Sequence, residues 1–279
     1  MTVDIPAALA ERVEAESLYD FETGTAEPAY TALGIAALRL GGGVALCVRN
    51  DPSGFWSRVL GIGFDEPVTA DLVHEACAFL RAQGMASVSF QIAPAVLPED
   101  WDQICAKEHI TRGRSWVKLA GGVETVLARA RERDHLADGL RLAPVAVDQA
   151  REWAEVRDEA FGMPSGYLAD MSASCVGRPP WQCFGVWDGD ALVSCASMYV
   201  YGEAAGMTGG STVPSARRQG AQTALLAVRA RAAADAGCRW LVSETGAEAP
   251  GTHNSSLHNM RALGFEVLYE RPNWIWKPA

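Results

Sequence analysis

The hydrophobic and polar positions follow the same order twice along the chain. Residues 57–120 alternate in a way that predicts strand, helix, strand, helix and strand, and residues 206–277 repeat that order. In the predicted helices, apolar residues recur every three or four positions, as Ala221, Leu225 and Val228 do. A repeat of this size indicates the duplication of a whole domain.

Each copy also begins with a predicted hairpin. The first turns at Gly41–Gly43, and since no helix follows, a turn is favoured over a phosphate loop. The second turns at the Asp-Gly-Asp of residues 188–190. The charged segment 121–139 has a helical pattern and is interpreted as the link. We therefore predict an α/β (α+β) protein with two domains, residues 1–135 and 136–279, each a mixed, mostly antiparallel sheet flanked by helices.

The composition narrows the class of protein. The chain has 279 residues, is 49% hydrophobic and carries a net charge of −10, which argues against broad nucleic-acid binding and against an anionic membrane surface. Its N-terminus has no signal-peptide pattern, and its apolar runs are shorter than the roughly 18 residues of a membrane span. The seven cysteines form no C-x-x-C pair, so we expect buried thiols, no metal site and a cytoplasmic protein.

A short basic stretch carries the most specific chemistry. Residues 211–226 read STVPSARRQGAQTALL. A predicted strand with small side chains is therefore followed by Arg-Arg-Gln-Gly and then by a predicted helix. The first amides of a helix lack partners and lie at its positive end, and Gly220 would let an anion approach the backbone. The sequence contains neither G-x-x-x-x-G-K-[ST] nor G-x-G-x-x-G, which excludes the usual mononucleotide and dinucleotide loops. A diphosphate cradle and a merely solvated helix start are both compatible with this stretch.

A second motif follows about 30 residues later. Residues 254–274 read NSSLHNMRALGFEVLYERPNW. Together, the two stretches resemble the GCN5-related N-acetyltransferase (GNAT) superfamily over residues 140–277, while residues 20–120 share only the order of elements. The resemblance implies a tandem protein that binds acetyl-CoA in its second domain. The residues it assigns to acetyl-CoA are Thr212, Val213, Arg217, Arg218, Gln219, Gly220, Ala221, Gln222, Thr223, Ser256 and Asn259, with Gln222 where the family usually has a small residue.

The first copy lacks the basic loop. Its equivalent stretch, DEPVTADL, places Asp65 and Glu66 near a helix start, where they would repel a diphosphate. We therefore predict that the first domain has lost acetyl-CoA binding and forms one wall of the acceptor site.

The resemblance also implies a reaction, direct transfer of an acetyl group to a primary amine, here of a small molecule. A backbone N–H around residues 209–212 would meet the oxyanion. Met260 occupies the position where many relatives have a proton-donating tyrosine. For the base we choose Glu244, at the end of a predicted strand beside the cleft, with Glu203 and Tyr201 as second choices. A strand-end carboxylate can equally serve only a turn or a salt bridge.

Two other functions remain open from the sequence. One is a CoA-binding sensor without turnover, which the missing tyrosine favours, and the other is acetylation of a protein amine. The sequence does not specify the acceptor, the acyl chain or the oligomeric state, because acceptor pockets vary on one fold.

Overall fold

The computed structural model describes residues 3–133 and 136–278. The helices are α1 (Ala7–Thr23), α2 (Ala29–Leu33), α3 (Ala70–Ala82), α4 (Trp101–Glu108), α5 (Val123–Arg131), α6 (Ala150–Ala160), α7 (Tyr167–Ala173), α8 (Ala221–Asp235) and α9 (Ser255–Ala262). The strands are β1 (Ile35–Leu40), β2 (Gly43–Val48), β3 (Arg58–Leu60), β4 (Val88–Gln91), β5 (Ile110–Gly122), β6 (Leu140–Pro144), β7 (Trp181–Asp188), β8 (Ala191–Tyr201), β9 (Ala204–Thr212), β10 (Trp240–Gly246) and β11 (Glu266–Trp276).

The strands form one continuous sheet in the order β1-β2-β3-β4-β11-β5-β10-β9-β8-β7-β6. Most neighbours are antiparallel, but β3 is parallel to β4 and β9 is parallel to β10. A helix connects each parallel pair, α3 in the first half and α8 in the second. The mixed, mostly antiparallel sheet and the repeated order of elements are as predicted.

The two halves exchange their last strands. Strand β11, from the second half, lies between β4 and β5, and β5 in turn lies between β11 and β10. Thus Trp276 faces Val88 of β4, while Trp240 faces Gly122 of β5. Each half therefore completes the sheet of the other. The predicted domain boundary lies between residues 135 and 136, and residue 135 is outside the described residues.

Helix α1 joins the halves from one face of the sheet, and the sequence analysis did not predict it. Its residues Ala10 and Val13 pack against Ala204 and Val242, which belong to strands of the second half. A larger apolar core on the same face combines side chains of α1 and the first hairpin with side chains of α6, α7, β7 and β8. This face is therefore built from both halves, and any cavity in it has walls from both.

Local predictions mostly agree with the structure. Thr69 caps α3 by accepting a hydrogen bond from the Leu72 amide, and both hairpins turn where expected. The first strand of the segment 57–120 is β3, which ends at Leu60 because Gly61 and Gly63 have φ angles of +77° and +99° that turn the chain out of the sheet. All seven cysteines are buried and free, as expected. Among the described residues, every helix is too short or too polar to span a bilayer.

Candidate active site

The parallel strands β9 and β10 separate part-way along their length. They pair from Ala204–Trp240 to Gly206–Val242, and within the described residues no pairing between them follows. Strand β9 continues to Thr212 along β8, and β10 continues to Gly246 along β5. The facing edges beyond Val242 therefore leave backbone N–H and C=O groups without strand partners, which are groups that an extended ligand can bind.

A β-bulge lies in this open part of β9. Ser197 faces Thr208, but Cys195 faces Ser211, so Gly209 and Gly210 form the bulge opposite one residue of β8. Gly209 has a φ of +61°, a conformation that favours glycine. The bulge lines the cavity described below.

Arg229, a residue of α8, forms hydrogen bonds with the backbone next to the bulge. This buried guanidinium donates hydrogen bonds to the carbonyl oxygens of Ser197, at 3.1 Å, and Thr208, at 3.3 Å. Burial lowers the pKa of Arg229 to about 9. Its position fixes the shape of the bulge and brings positive charge to the open edge of β9.

The basic loop joins β9 to α8. Gly220 is the N-cap residue of α8, with a φ of +85°, and among the described residues no side chain caps this helix start. Arg217 and Arg218 are exposed, and Arg218 has a φ of +66°. A left-handed arginine costs about 1–2 kcal/mol, a strain that is concentrated at functional sites. The equivalent helix start in the first half is closed by the Thr69 side chain.

Three predicted cofactor residues come together beside this loop. The Gln222 side-chain amide donates to Ser256 Oγ at 3.2 Å, and the Asn259 amide donates to Gln222 Oε1 at 2.6 Å. These bonds tie α8 to α9, whose own N-terminus is capped by Asn254. Gln222 stands where the GNAT superfamily usually has a small residue, and its longer side chain connects the two helices.

A cavity of about 280 Å³ lies where the open strands meet the interface between the halves. The second half contributes the β9 bulge, the end of β10, Gln222, Ser256 and Met260. The first half contributes side chains of α1, β5 and the segment around β3. The aromatic side chains in its wall are Phe55, Trp56, Trp116 and Phe161.

Glu244 lies in the wall of this cavity and at the same time in ion pairs. Its Oε2 is 2.6 Å from Arg271 Nη2, and its Oε1 is 3.2 Å from Arg58 Nη1. Burial, and next the charge of Glu14, raise the pKa of Glu244 to about 7, while the neighbouring cations oppose the shift. Glu244 is therefore both a carboxylate in the cavity wall and a member of a salt bridge, the two roles that the sequence left open.

The ion pairs extend into a buried cluster of three carboxylates and three cations. Arg271 Nη2 is 2.9 Å from Glu14 Oε1, and Lys118 also bonds to Glu14. Burial raises the pKa of Glu14, but Arg271 and Lys118 outweigh it and hold that pKa well below its usual range. The members of the cluster are Glu11, Glu14, Glu244, Arg58, Lys118 and Arg271.

Comparisons with solved structures give the fold a name. A GCN5-related N-acetyltransferase from Kribbella flavida matches with a TM-score of 0.66 at 16% identity, over 99% of this chain and 97% of that chain. A tandem GNAT protein from the clavulanic acid biosynthesis pathway matches with a TM-score of 0.62 at 15% identity, over 97% of this chain and 93% of that chain. This chain has the tandem GNAT fold.

A third GNAT structure, from Sphaerobacter thermophilus, matches with a TM-score of 0.58 at 14% identity, over 98% of this chain and 94% of that chain. No protein-family model matches the sequence, and no curated protein matches it. At these identities the GNAT likeness is one of fold, and the chemistry has to be argued from the residues of the cavity.

In this GNAT fold, the other proton-transfer candidates have different surroundings. Met260 is 4% exposed and lines the cavity, so its position offers no acid. Glu203 and Tyr201 flank the turn between β8 and β9, outside the cavity lining, and Glu203 pairs with Arg239 at the surface. Glu244 thus stays the predicted base.

Sequence reasoning missed the charged residues that the first half adds. Glu11 and Glu14 lie on α1, and Lys118 lies in the apolar run SWVKLA of β5. A lysine in an apolar strand is a signal for a buried ion pair, because a lysine is almost never fully buried alone. Its partners on α1 are about 100 residues away and follow only from the fold.

Proposed function

We propose that this protein is an N-acetyltransferase that transfers the acetyl group of acetyl-CoA directly to a primary amine of a small molecule. The observation that carries the proposal is the opening between β9 and β10, because the strand on one side of it continues to the uncapped helix start at Gly220 and the strand on the other side carries Glu244 in the cavity wall.

The residues fit acetyl-CoA in three respects. The start of α8 offers backbone N–H groups and the positive end of a 15-residue helix, with Arg217 and Arg218 beside it. The open edges of β9 and β10 offer hydrogen bonds to an extended amide chain. Ser256 and Asn259 offer polar groups from α9. We assign acetyl-CoA to Thr212, Val213, Arg217, Arg218, Gln219, Gly220, Ala221, Gln222, Thr223, Ser256 and Asn259.

The chain's own groups then act on the acceptor. An alkylammonium must lose a proton before its nitrogen can attack, and Glu244, with its pKa raised to about 7, takes that proton. The bulge at Gly209 and Gly210 presents backbone N–H groups to the thioester carbonyl oxygen. Acetyl-CoA supplies the acyl carbon, to which the nitrogen bonds as the C–S bond breaks. After the attack, the nitrogen loses its second proton to solvent and the leaving thiolate takes a proton from solvent, since Met260 cannot donate one.

Met260 also favours a second candidate, a CoA-binding sensor without turnover. Thiol release from acetyl-CoA with a pooled panel of primary amines separates the two functions, with binding of acetyl-CoA measured in parallel by calorimetry. Thiol release that depends on an amine supports the transferase. Binding of acetyl-CoA without thiol release from any amine supports the sensor.

A further inference from the structure

The cavity has a second charged end, on α6. Arg157 is 6% exposed and lines the cavity. Its Nη1 donates to Asp158 Oδ1 at 2.9 Å and to Ser172 Oγ at 2.8 Å. Its Nε is buried and has no hydrogen-bond partner among the described residues. A buried donor without a partner is unusual and calls for an explanation.

The unpaired nitrogen faces the bulge of β9. A Cβ atom built on Gly209 would lie 2.9 Å from Arg157 Nε and 3.6 Å from Arg157 Cδ, so this part of the arginine side chain lies beside the open part of the strand. In a guanidinium, Nε and Nη2 form a parallel pair of donors that matches the two oxygens of a carboxylate. The edge left free by Asp158 and Ser172 is therefore suited to a carboxylate.

The other cations around the cavity are already engaged. Arg58 and Lys118 bind Glu244 and Glu14, respectively, within the buried cluster. Arg229 donates to the backbone carbonyl groups of Leu225, Ser197 and Thr208. Arg157 therefore differs from these three because one edge of its guanidinium has no protein partner within the described residues.

The space between the charged ends is apolar. Phe55, Trp56, Trp116 and Phe161 line the cavity together with Met163. Aromatic and apolar walls of this kind bind the hydrocarbon body of a ligand and leave orientation to a few polar groups. A carboxylate receptor at one end and Glu244 at the other would orient a molecule that carries both an amine and a carboxylate.

We propose that the acceptor is an amino acid whose amino group and carboxylate are at opposite ends of an apolar or aromatic body, with the carboxylate bound to the Nε and Nη2 edge of Arg157 and the amino group near Glu244. This inference rests on the proposed transferase function, and it narrows the acceptor from amines in general to zwitterionic ones. Amines of the same shape without the carboxylate would leave the Arg157 edge unpaired.

The test compares ligands that differ in the carboxylate. The amino acids 6-aminohexanoate, 8-aminooctanoate and 4-(aminomethyl)phenylacetate are each paired with pentylamine, heptylamine and 4-methylbenzylamine, respectively, and with the corresponding amino-acid amides. Binding to the full chain saturated with CoA is measured by calorimetry, and thiol release from acetyl-CoA is measured for the same compounds. We expect at least one amino acid to bind at least tenfold more tightly than both its amine and its amide.

Two variants locate the effect. Arg157→Lys keeps the positive charge beside Asp158 but loses the paired donors, and we expect the preference for the carboxylate to fall at least tenfold. Arg151→Lys, on the exposed side of the same helix, is the matched control and should keep the preference. Thermal unfolding of both variants verifies that they fold, and the comparison of ligands on the unmodified chain does not depend on either variant.

Several results would overturn the proposal. Equal binding of each amino acid and its amine would do so, as would the absence of binding by all three amino acids. A preference that survives in Arg157→Lys, or a variant that slows all acceptors by the same factor, would place Arg157 outside carboxylate recognition. Carboxylate-dependent binding without thiol release would support the acceptor class and refute the transferase, whereas equal acetylation of amines and amino acids would do the reverse.

Discussion

Replacing Glu244 with glutamine removes a carboxylate from the cavity wall and keeps its shape. Because burial and the charge of Glu14 raise the pKa of Glu244 to about 7, about half of the carboxyl groups are ionised at pH 7. An alkylamine with a pKa of about 10 is neutral in only about one molecule in a thousand at that pH. We expect the variant to lose roughly 10²-fold in kcat/KM for the amine at pH 7, a typical contribution of a general base.

The pH dependence separates a base from a structural carboxylate. The ionised form of Glu244 is the active one, so the activity of the unmodified protein is lost as the pH falls through about 7 and levels off above it. Without the base, the rate follows the neutral amine, which increases about tenfold per pH unit up to its pKa of about 10. A loss of roughly 10²-fold at pH 7 should therefore shrink to near parity at about pH 9.

The assay is thiol release from acetyl-CoA at subsaturating amine between pH 6 and 10. Glu270→Gln is the control, because Glu270 is an exposed carboxylate on β11. Thermal unfolding reports whether loss of the Arg271 pair weakens the fold. A loss below about threefold at pH 7, a loss that stays constant with pH, or one confined to the KM of acetyl-CoA would refute the role of Glu244.

Three further predictions test the surroundings of the site. Gly220→Asp should abolish acetyl-CoA binding in calorimetry, because it places a carboxylate at the proposed diphosphate site. Gly189→Asp, at another left-handed glycine with open space around it, should not, and unchanged affinity in Gly220→Asp would exclude the cradle. Gly209→Ala should lower the free energy of unfolding by about 1–3 kcal/mol, because the new side chain is strained at a left-handed position and contacts Arg157. Gly210→Ala, where the added Cβ would have only a 3.6 Å contact, should change the free energy of unfolding by under about 0.5 kcal/mol. Equal denaturant midpoints for the two variants would contradict this prediction. Residues 136–278 alone should show no cooperative unfolding in circular dichroism, because β4 and β5, the sheet partners of β11, both belong to the first half; a cooperative transition would mean that the second half folds independently.

Much of the fold follows from local patterns in the sequence. The hairpin at Gly41–Gly43, the cap at Thr69 and the helix that begins after Gly220 depend on turn chemistry, capping and apolar spacing, which are properties of neighbouring residues. The repeated order of elements was equally visible, since duplication repeats the pattern itself. The sequence also brought Gln222, Ser256 and Asn259 into one hypothesis, but only through resemblance to the GNAT superfamily.

The exchange of β5 and β11 could not be read from the sequence. Each strand has the same apolar alternation whether it pairs within its own half or with the other, so only packing decides between the two arrangements. The environment of Glu244 has the same origin. Its carboxylate lies at a strand end in either arrangement, but its neighbours Glu14 and Arg58 come from α1 and β3, which the tertiary structure alone brings to the cavity. Burial and charges from distant parts of the chain therefore determine its pKa.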